Sequence, residues 1–146
     1  MIDKDNNSSK IEIKSNTILS NYIHELDEDV KLSISNLREK SLTCSSIWAK
    51  WISYLFLEKD NLQRIANAKQ KILKSKASQM KVHDSLLKMK SEDKILENDD
   101  NIKKLNELQR NTQDCIDFIE RSLNMLSSFG FSIKNALEAL KLEMTH

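Results

Sequence analysis

Apolar positions recur at helical spacing in three parts of the chain, and the first is short. It begins at about Thr17 and runs into an acidic cluster at positions 25–29. Its apolar members are Ile18, Leu19, Tyr22, Ile23 and Leu26. Acidic side chains oppose the helix macrodipole at a C-terminus, so this helix is predicted to end in that cluster. Ser33 and Ser35 are then candidate N-caps for the next helix.

The second apolar pattern is the most regular. It steps by four and three residues, and eight of its eleven positions are apolar. The eleven positions are Leu37, Ser41, Cys44, Trp48, Trp51, Leu55, Glu58, Leu62, Ile65, Lys69 and Ile72. Such a seam is typical of a coiled coil. It predicts a helix from about Ser35 to Val82, roughly 70 Å long at 1.5 Å per residue. A chain of 146 residues cannot cover so long a stripe by itself, so partner chains are expected.

The third pattern follows a weakly periodic segment at 83–101, which reads as a linker or irregular helix. Its positions are Ile102, Leu105, Leu108, Thr112, Cys115, Ile116, Ile119, Leu123 and Leu126. Gly130 is predicted to end this helix as a left-handed C-terminal cap. Ser132 would then begin a last helix, with Ile133, Leu137, Leu140 and Met144 on one face.

Composition narrows the fold to an all-α class. The chain holds one glycine and no proline, which disfavours a many-stranded sheet with tight hairpins. The length fits one domain. The predicted organisation is a flexible polar tail at 1–16, a helical region with the long helix at 17–82, the linker or irregular helix at 83–101 and a C-terminal helical region at 102–146.

No residue pattern indicates catalysis or a cofactor. A single glycine excludes glycine-rich phosphate loops. His24, His83 and His146 are scattered, and no H-x-x-x-H or C-x-x-C spacing offers a metal site. Cys44 and Cys115 are expected to be reduced, half-buried thiols. We therefore expect a protein that is not an enzyme and needs no cofactor.

The N-terminal residues do not resemble a secretion signal. Met1 to Asn16 are charged and polar, and no stretch approaches 18 uninterrupted apolar residues. The chain is therefore expected to be cytoplasmic.

Charge is concentrated in one window. Positions 64–81 carry no acidic residue, although 22 of the 146 residues are Asp or Glu. The six basic residues there are Arg64, Lys69, Lys71, Lys74, Lys76 and Lys81. They could form an ordinary solvated helix face, or a surface that binds phosphates and releases their counterions. An anionic membrane is less favoured, because the window lacks a bulky apolar face away from the seam.

Two tryptophans are candidates for stacking on nucleic-acid bases. Trp48 and Trp51 both occupy seam positions, where packing against another helix is the favoured role.

Three stretches, about 70 residues in all, occur in the order seen in a known family. The first is ELDEDVKL at 25–32, followed by Leu37 and, without a gap, by AKW at 49–51. The second is LKSK at 73–76, and the third is DFIERSLNMLSSFGFSIKN at 117–135. Together they resemble the UvsY family of phage recombination mediators. LKSK is similar to the family's LKAR element, which is held to contact single-stranded DNA. The resemblance therefore implies DNA contacts by Lys74 and Lys76.

One departure from the family pattern affects the expected contact. The family follows its basic pair with tyrosines, whereas Ala77, Ser78, Gln79 and Met80 follow here. Phosphate attraction is thus expected at this element in place of base stacking.

The resemblance also implies an assembly and partners. These are a ring-shaped homo-oligomer, a hexamer or heptamer, that loads a RecA-like recombinase of the UvsX type onto single strands coated by single-stranded DNA-binding protein. The implied processes are phage homologous recombination, repair and recombination-dependent replication, in the cytoplasm of an infected bacterial host. The region at 17–82 would then be the DNA-binding region and the region at 102–146 the oligomerisation region. The ring would be held by C-terminal positions Ile116, Ile119, Leu123, Leu126, Phe131, Ile133 and Leu137. The alternative is a helical adaptor that binds only proteins.

Overall fold

The computed structural model describes residues 17–79 and 99–145. These residues form three helices: α1 (Thr17–Asp29), α2 (Leu37–Gln79) and α3 (Asp100–Met144). No strand occurs within either described range, so the all-α prediction is confirmed. The predicted tail at 1–16, Val82 and most of the predicted linker lie outside the described residues. At the C-terminal end of that segment, Asp100 and Asn101 belong to α3.

Helix α1 ends at Asp29, within the acidic cluster as predicted, and the Lys40 side chain from the next helix contacts its last turn. The Lys40 ammonium donates to the carbonyl oxygens of Glu28 and Asp29, at 3.4 and 2.9 Å. Before α2, the backbone N–H of Asn36 donates to Ser33 Oγ at 3.3 Å, and the backbone N–H of Ser33 donates to Asn36 Oδ1 at 2.7 Å. This reciprocal pair is a capping box. Ser33 is therefore the capping serine of the two candidates.

The described chain divides into two compact units. The first, here called the aromatic unit, comprises α1, α2 up to Leu57 and α3 from Cys115 onward. Its core is built around Trp51, which is fully buried. The other buried members are Tyr22, Leu26, Ile47, Cys115, Ile119 and Leu126. The Trp51 ring lies 5.9, 5.4 and 6.2 Å from the rings of Tyr22, Tyr54 and Phe118, in tilted or edge-on arrangements that aromatic rings favour.

The second, the basic unit, comprises α2 from Glu58 and α3 up to Asp114. Among its described residues, Leu73 and Ile102 form a buried apolar cluster and Ile72 packs against them. Asp99 starts α3 as its N-cap. Its Oδ1 accepts the Ile102 amide at 2.9 Å, and its carbonyl accepts the Lys103 amide at 3.0 Å. This cap explains why α3 begins earlier than the apolar periodicity indicates.

Gly130 does not end a helix, and the predicted break there was wrong. Helix α3 continues through Gly130 to Met144, so Ser132 begins no separate helix. Glycine inside a helix costs only about 1 kcal/mol relative to alanine. Ile133, on the next turn, is almost fully buried, and burying such a side chain contributes about 1.5–3 kcal/mol. Packing thus outweighs the local preference, and one 45-residue helix replaces the two predicted C-terminal helices.

Within 17–79 and 99–145, none of the helices is both long and apolar enough to cross a membrane.

Candidate nucleic-acid interface

Exposed residues of the basic window form a line along the outer side of α2. They lie three and four residues apart, a spacing that puts side chains on one face of a helix. We call this the outer line: Arg64, Asn67, Lys71, Lys74 and Ser78, all exposed. Neither the Lys71 nor the Lys74 side chain has a hydrogen bond or ion pair within the described residues. Three of the six predicted DNA-binding residues are thus brought together on one open face.

Arg64 differs from the two lysines because it has an acidic neighbour. Its Nε donates to Asp60 Oδ2 at 3.0 Å, one turn earlier on α2. Both side chains are largely exposed, and ion pairs of this kind contribute little to stability. The arginine therefore remains accessible to another anion.

Two other predicted residues, Lys69 and Lys76, point towards α3 and form what we call the inner pair. Lys69 Nζ donates to Gln109 Oε1 at 3.0 Å. Lys76 makes an ion pair with the carboxylate of Asp99. Both lysines are partly covered. The structure thus separates Lys76 from Lys74, and the sixth predicted residue, Lys81, lies outside the described residues.

The basic unit has no aromatic residue. All eight aromatic residues of the chain belong to the aromatic unit: Tyr22, Trp48, Trp51, Tyr54, Phe56, Phe118, Phe129 and Phe131. The outer line therefore offers cations, an amide and a hydroxyl to a ligand, but no ring for stacking. For Trp51 the packing prediction is confirmed, whereas Trp48 is 44% exposed.

The acidic end of α1 binds α2 through a polar network that the sequence did not reveal. Asp29 Oδ2 accepts Trp51 Nε1 at 2.9 Å and Lys50 Nζ at 2.7 Å. Glu25 Oε1 accepts the Tyr54 hydroxyl at 2.7 Å and lies 3.0 Å from Lys50 Nζ. The sequence signal that could have revealed this network was the i, i+4 spacing of Glu25 and Asp29, which places both carboxylates on one face of α1. These carboxylates therefore hold the aromatic unit together.

The network changes the pKa of two of its members in the same direction. Burial and then the hydrogen bond to Glu25 raise the pKa of the Tyr54 hydroxyl. Burial alone would lower the pKa of Lys50, but hydrogen bonds with Asp29 and Glu25 outweigh it and raise the pKa. Both groups therefore favour their protonated forms in the folded chain.

Most of the predicted oligomerisation residues are covered within the single chain. Ile116, Ile119, Leu126 and Ile133 are buried, and Leu123 packs against the aromatic core. Phe131 is 72% exposed. Leu137 lines an apolar groove in the aromatic unit, together with Ile34, Leu37, Arg38, Ser41, Leu42, Leu140, Lys141 and Met144. Phe131 and this groove are the accessible parts of the predicted surface, and their role in assembly stays a prediction.

Comparison with known proteins identifies both a family and a fold. The family model described as "Recombination, repair and ssDNA binding protein UvsY" matches residues 25–145. A lattice type IV crystal structure of the bacteriophage T4 recombination mediator protein UvsY is 21% identical, with a TM-score of 0.70 over 86% of this chain and 98% of that one. The lattice type II structure of the same T4 protein is 20% identical, with a TM-score of 0.66 over 86% and 97% of the two chains.

A comparison with curated protein sequences gives no significant match. At about one-fifth identity the two crystal structures establish a shared fold, and the family match covers most of the chain. Both agree with the resemblance drawn from its three sequence stretches. The chain belongs to the UvsY family.

Proposed function

We propose that this protein is a phage recombination mediator that binds single-stranded DNA along the outer line. In this proposal it loads a RecA-like, UvsX-type recombinase onto strands coated by single-stranded DNA-binding protein. The observation that supports it best is the outer line, because Arg64, Lys71 and Lys74 share one exposed face with no acidic residue among them. Membership of a family described as single-stranded DNA binding supports the same ligand.

Phosphate is the chemical group that this face suits. Arg64 and Lys71 are seven residues apart, about 10 Å along the helix axis, and Lys74 lies about 5 Å further. Each phosphate that a cation neutralises releases condensed counterions, which favours binding at low salt. Cations placed along a helix can therefore follow the backbone of a strand.

Sequence-independent binding follows from the same residues. Apart from cations, the outer line offers the Asn67 amide and the Ser78 hydroxyl, with no aromatic ring in the basic unit. Phosphate contacts position a protein on nucleic acid but carry no base information. A mediator that acts on any exposed strand requires this property.

Mediation can then proceed by binding alone, without catalysis or nucleotide hydrolysis. In a ring-shaped homo-oligomer of six or seven copies, each copy would present one outer line, and avidity would strengthen weak contacts. A ring that binds better to the strand conformation used by the recombinase shifts the strand towards that conformation. The coat protein is displaced to the extent of this differential affinity.

Charge removal on the outer line tests the proposal. Lys71→Ala combined with Lys74→Ala should weaken binding to a labelled oligothymidylate, measured by fluorescence anisotropy at several salt concentrations. The log–log salt slope should fall in magnitude by about 0.7 for each lost phosphate contact. Helicity should not change, because both side chains are exposed.

The matched control is Lys103→Ala with Lys104→Ala. Those lysines are also exposed in the basic unit, but on α3, and their removal lowers the net charge equally. Equal losses in both double variants would show a general charge effect and contradict the outer line as the binding face. If the unaltered protein binds no oligonucleotide at low salt, the protein-only adaptor described above becomes the better interpretation.

A further inference from the structure

The Asp99 carboxylate makes contacts with both of its oxygens. Oδ1 accepts the Ile102 amide at 2.9 Å and thereby caps α3, while Oδ2 pairs with Lys76. The two partners of the ion pair differ in exposure: the Asp99 side chain is 4% exposed and that of Lys76 is 45% exposed. The acid is therefore fixed by the helix cap, whereas the lysine remains reachable from solvent.

This contact brings an acidic side chain to the basic window at positions 64–81, which contains no acidic residue of its own. Asp99 is distant from positions 64–81 along the chain, but the fold of the basic unit brings it to Lys76. Carboxylate and phosphate oxygens bind an ammonium group in the same way, by charge-assisted hydrogen bonds. The Asp99 carboxylate thus binds the Lys76 ammonium group as a phosphate would.

We propose that Asp99 is an internal competitor for phosphate at Lys76 and limits the affinity of the basic unit for a single strand. This inference rests on the DNA binding proposed above. The strand contacts the outer line, while Lys76 is withheld by Asp99.

A limited affinity serves a mediator. A protein that must pass a strand to a recombinase can shift it only by its differential affinity for the two strand conformations. Additional uniform binding would hold the strand without favouring transfer.

Asp99→Asn is the informative substitution. Asparagine caps helices about as well as aspartate, so α3 should still begin at the same place. The side chain loses its charge, Lys76 is released to solvent, and no buried charge is left unpaired. One additional phosphate contact should increase the magnitude of the log–log salt slope by about 0.7, which corresponds to about fivefold tighter oligothymidylate binding at 0.1 M salt. Asp99→Ser, which also retains a capping side chain, should give the same gain.

The control is Asp100→Asn. Asp100 is adjacent and exposed, and its substitution changes the net charge equally. Its effect on affinity should be smaller, because no ion pair joins it to Lys76 within the described residues. If Asp99→Asn and Asp100→Asn change affinity and slope equally, general charge explains the result and the proposal is wrong.

Lys76→Ala completes the test, both in the unaltered protein and combined with Asp99→Asn. It should change the affinity of the unaltered protein little, and should abolish the gain produced by Asp99→Asn. If Lys76→Ala alone weakens binding as much as Lys74→Ala, then Lys76 contacts the strand despite Asp99, and the competitor role is excluded. Loss of binding in Lys71→Ala/Lys74→Ala without any gain in Asp99→Asn would overturn this proposal and leave the proposed function standing.

Discussion

The aromatic unit and the basic unit contain successive parts of the same two long helices, but different residues lie between those helices. In the aromatic unit, α1 adds a third helix, and six other buried residues surround Trp51 or pack beside it. Among the described residues of the basic unit, the buried apolar cluster is Leu73 and Ile102, and the inner pair of lysines faces α3. Aromatic rings thus pack between the helices of one unit, whereas lysine side chains make polar contacts between the helices of the other.

This difference shows where the chain can carry exposed charge with little loss of stability. Substitutions of exposed residues away from a core usually change stability by less than about 0.5 kcal/mol. The outer line lies on such a surface, and every aromatic side chain is in the other unit. The proposed binding surface and the main source of stability can therefore be altered separately.

The largest expected effect is the loss of Trp51. Trp51→Ala should lower the free energy of unfolding by about 3–5 kcal/mol, because it opens a cavity in the aromatic core and leaves Asp29 without its indole donor. Trp48→Ala is the matched control, since Trp48 is 44% exposed. Urea unfolding followed by circular dichroism measures both. Equal losses would mean that the aromatic unit is not organised around Trp51.

Ile102→Ala tests the core of the basic unit. Ile102 is fully buried, and its truncation should cost about 2–5 kcal/mol. The near-ultraviolet dichroism of the folded protein should be unchanged, because the basic unit contains no aromatic residue. Leu108→Ala, at a position 52% exposed in the same unit, should have little effect on stability. A changed near-ultraviolet spectrum would show that the two units do not respond separately.

The polar network should make the aromatic unit sensitive to alkaline pH. The folded-state pKa of Tyr54 and of Lys50 is raised, so their contribution is complete below the unfolded-state pKa values, about 10. It is lost as the pH rises through the folded-state values. Tyr54→Phe should cost about 0.5–1.5 kcal/mol near neutral pH by removing one hydrogen bond. Urea unfolding between neutral and strongly alkaline pH should show a shallower decline in the variant, and parallel curves would contradict this role of Tyr54.

The smallest effect is expected at Gly130. Its backbone is helical and a Cβ there would meet no atom within 4 Å. Gly130→Ala should therefore raise the free energy of unfolding by about 0.5–1 kcal/mol. Ala139→Gly, at an exposed position of the same helix, should lower it by a similar amount. Destabilisation by Gly130→Ala would indicate that the position needs the space or the freedom of glycine.

The sequence by itself determined the elements that depend on local chemistry. The apolar spacing predicted α2 and the main part of α3, the acidic cluster predicted the end of α1, and Ser33 was one of two candidate caps. The family could also be recognised from three short stretches in order. Each of these signals acts between residues within a few turns of one another, so it can be read without knowing the fold.

The tertiary structure alone decided which charges are available. The sequence showed six basic residues in one window but did not separate the outer line from the inner pair, because the partners of that pair, Gln109 and Asp99, are distant in the sequence. For the same reason the burial of Ile133 decided that α3 continues through Gly130, against the local preference of glycine. Periodicity shows that a helix has a face to cover, whereas the residue that covers it comes from a distant part of the chain. Burial and pairing follow from that contact, and they separate Lys76 from Lys74.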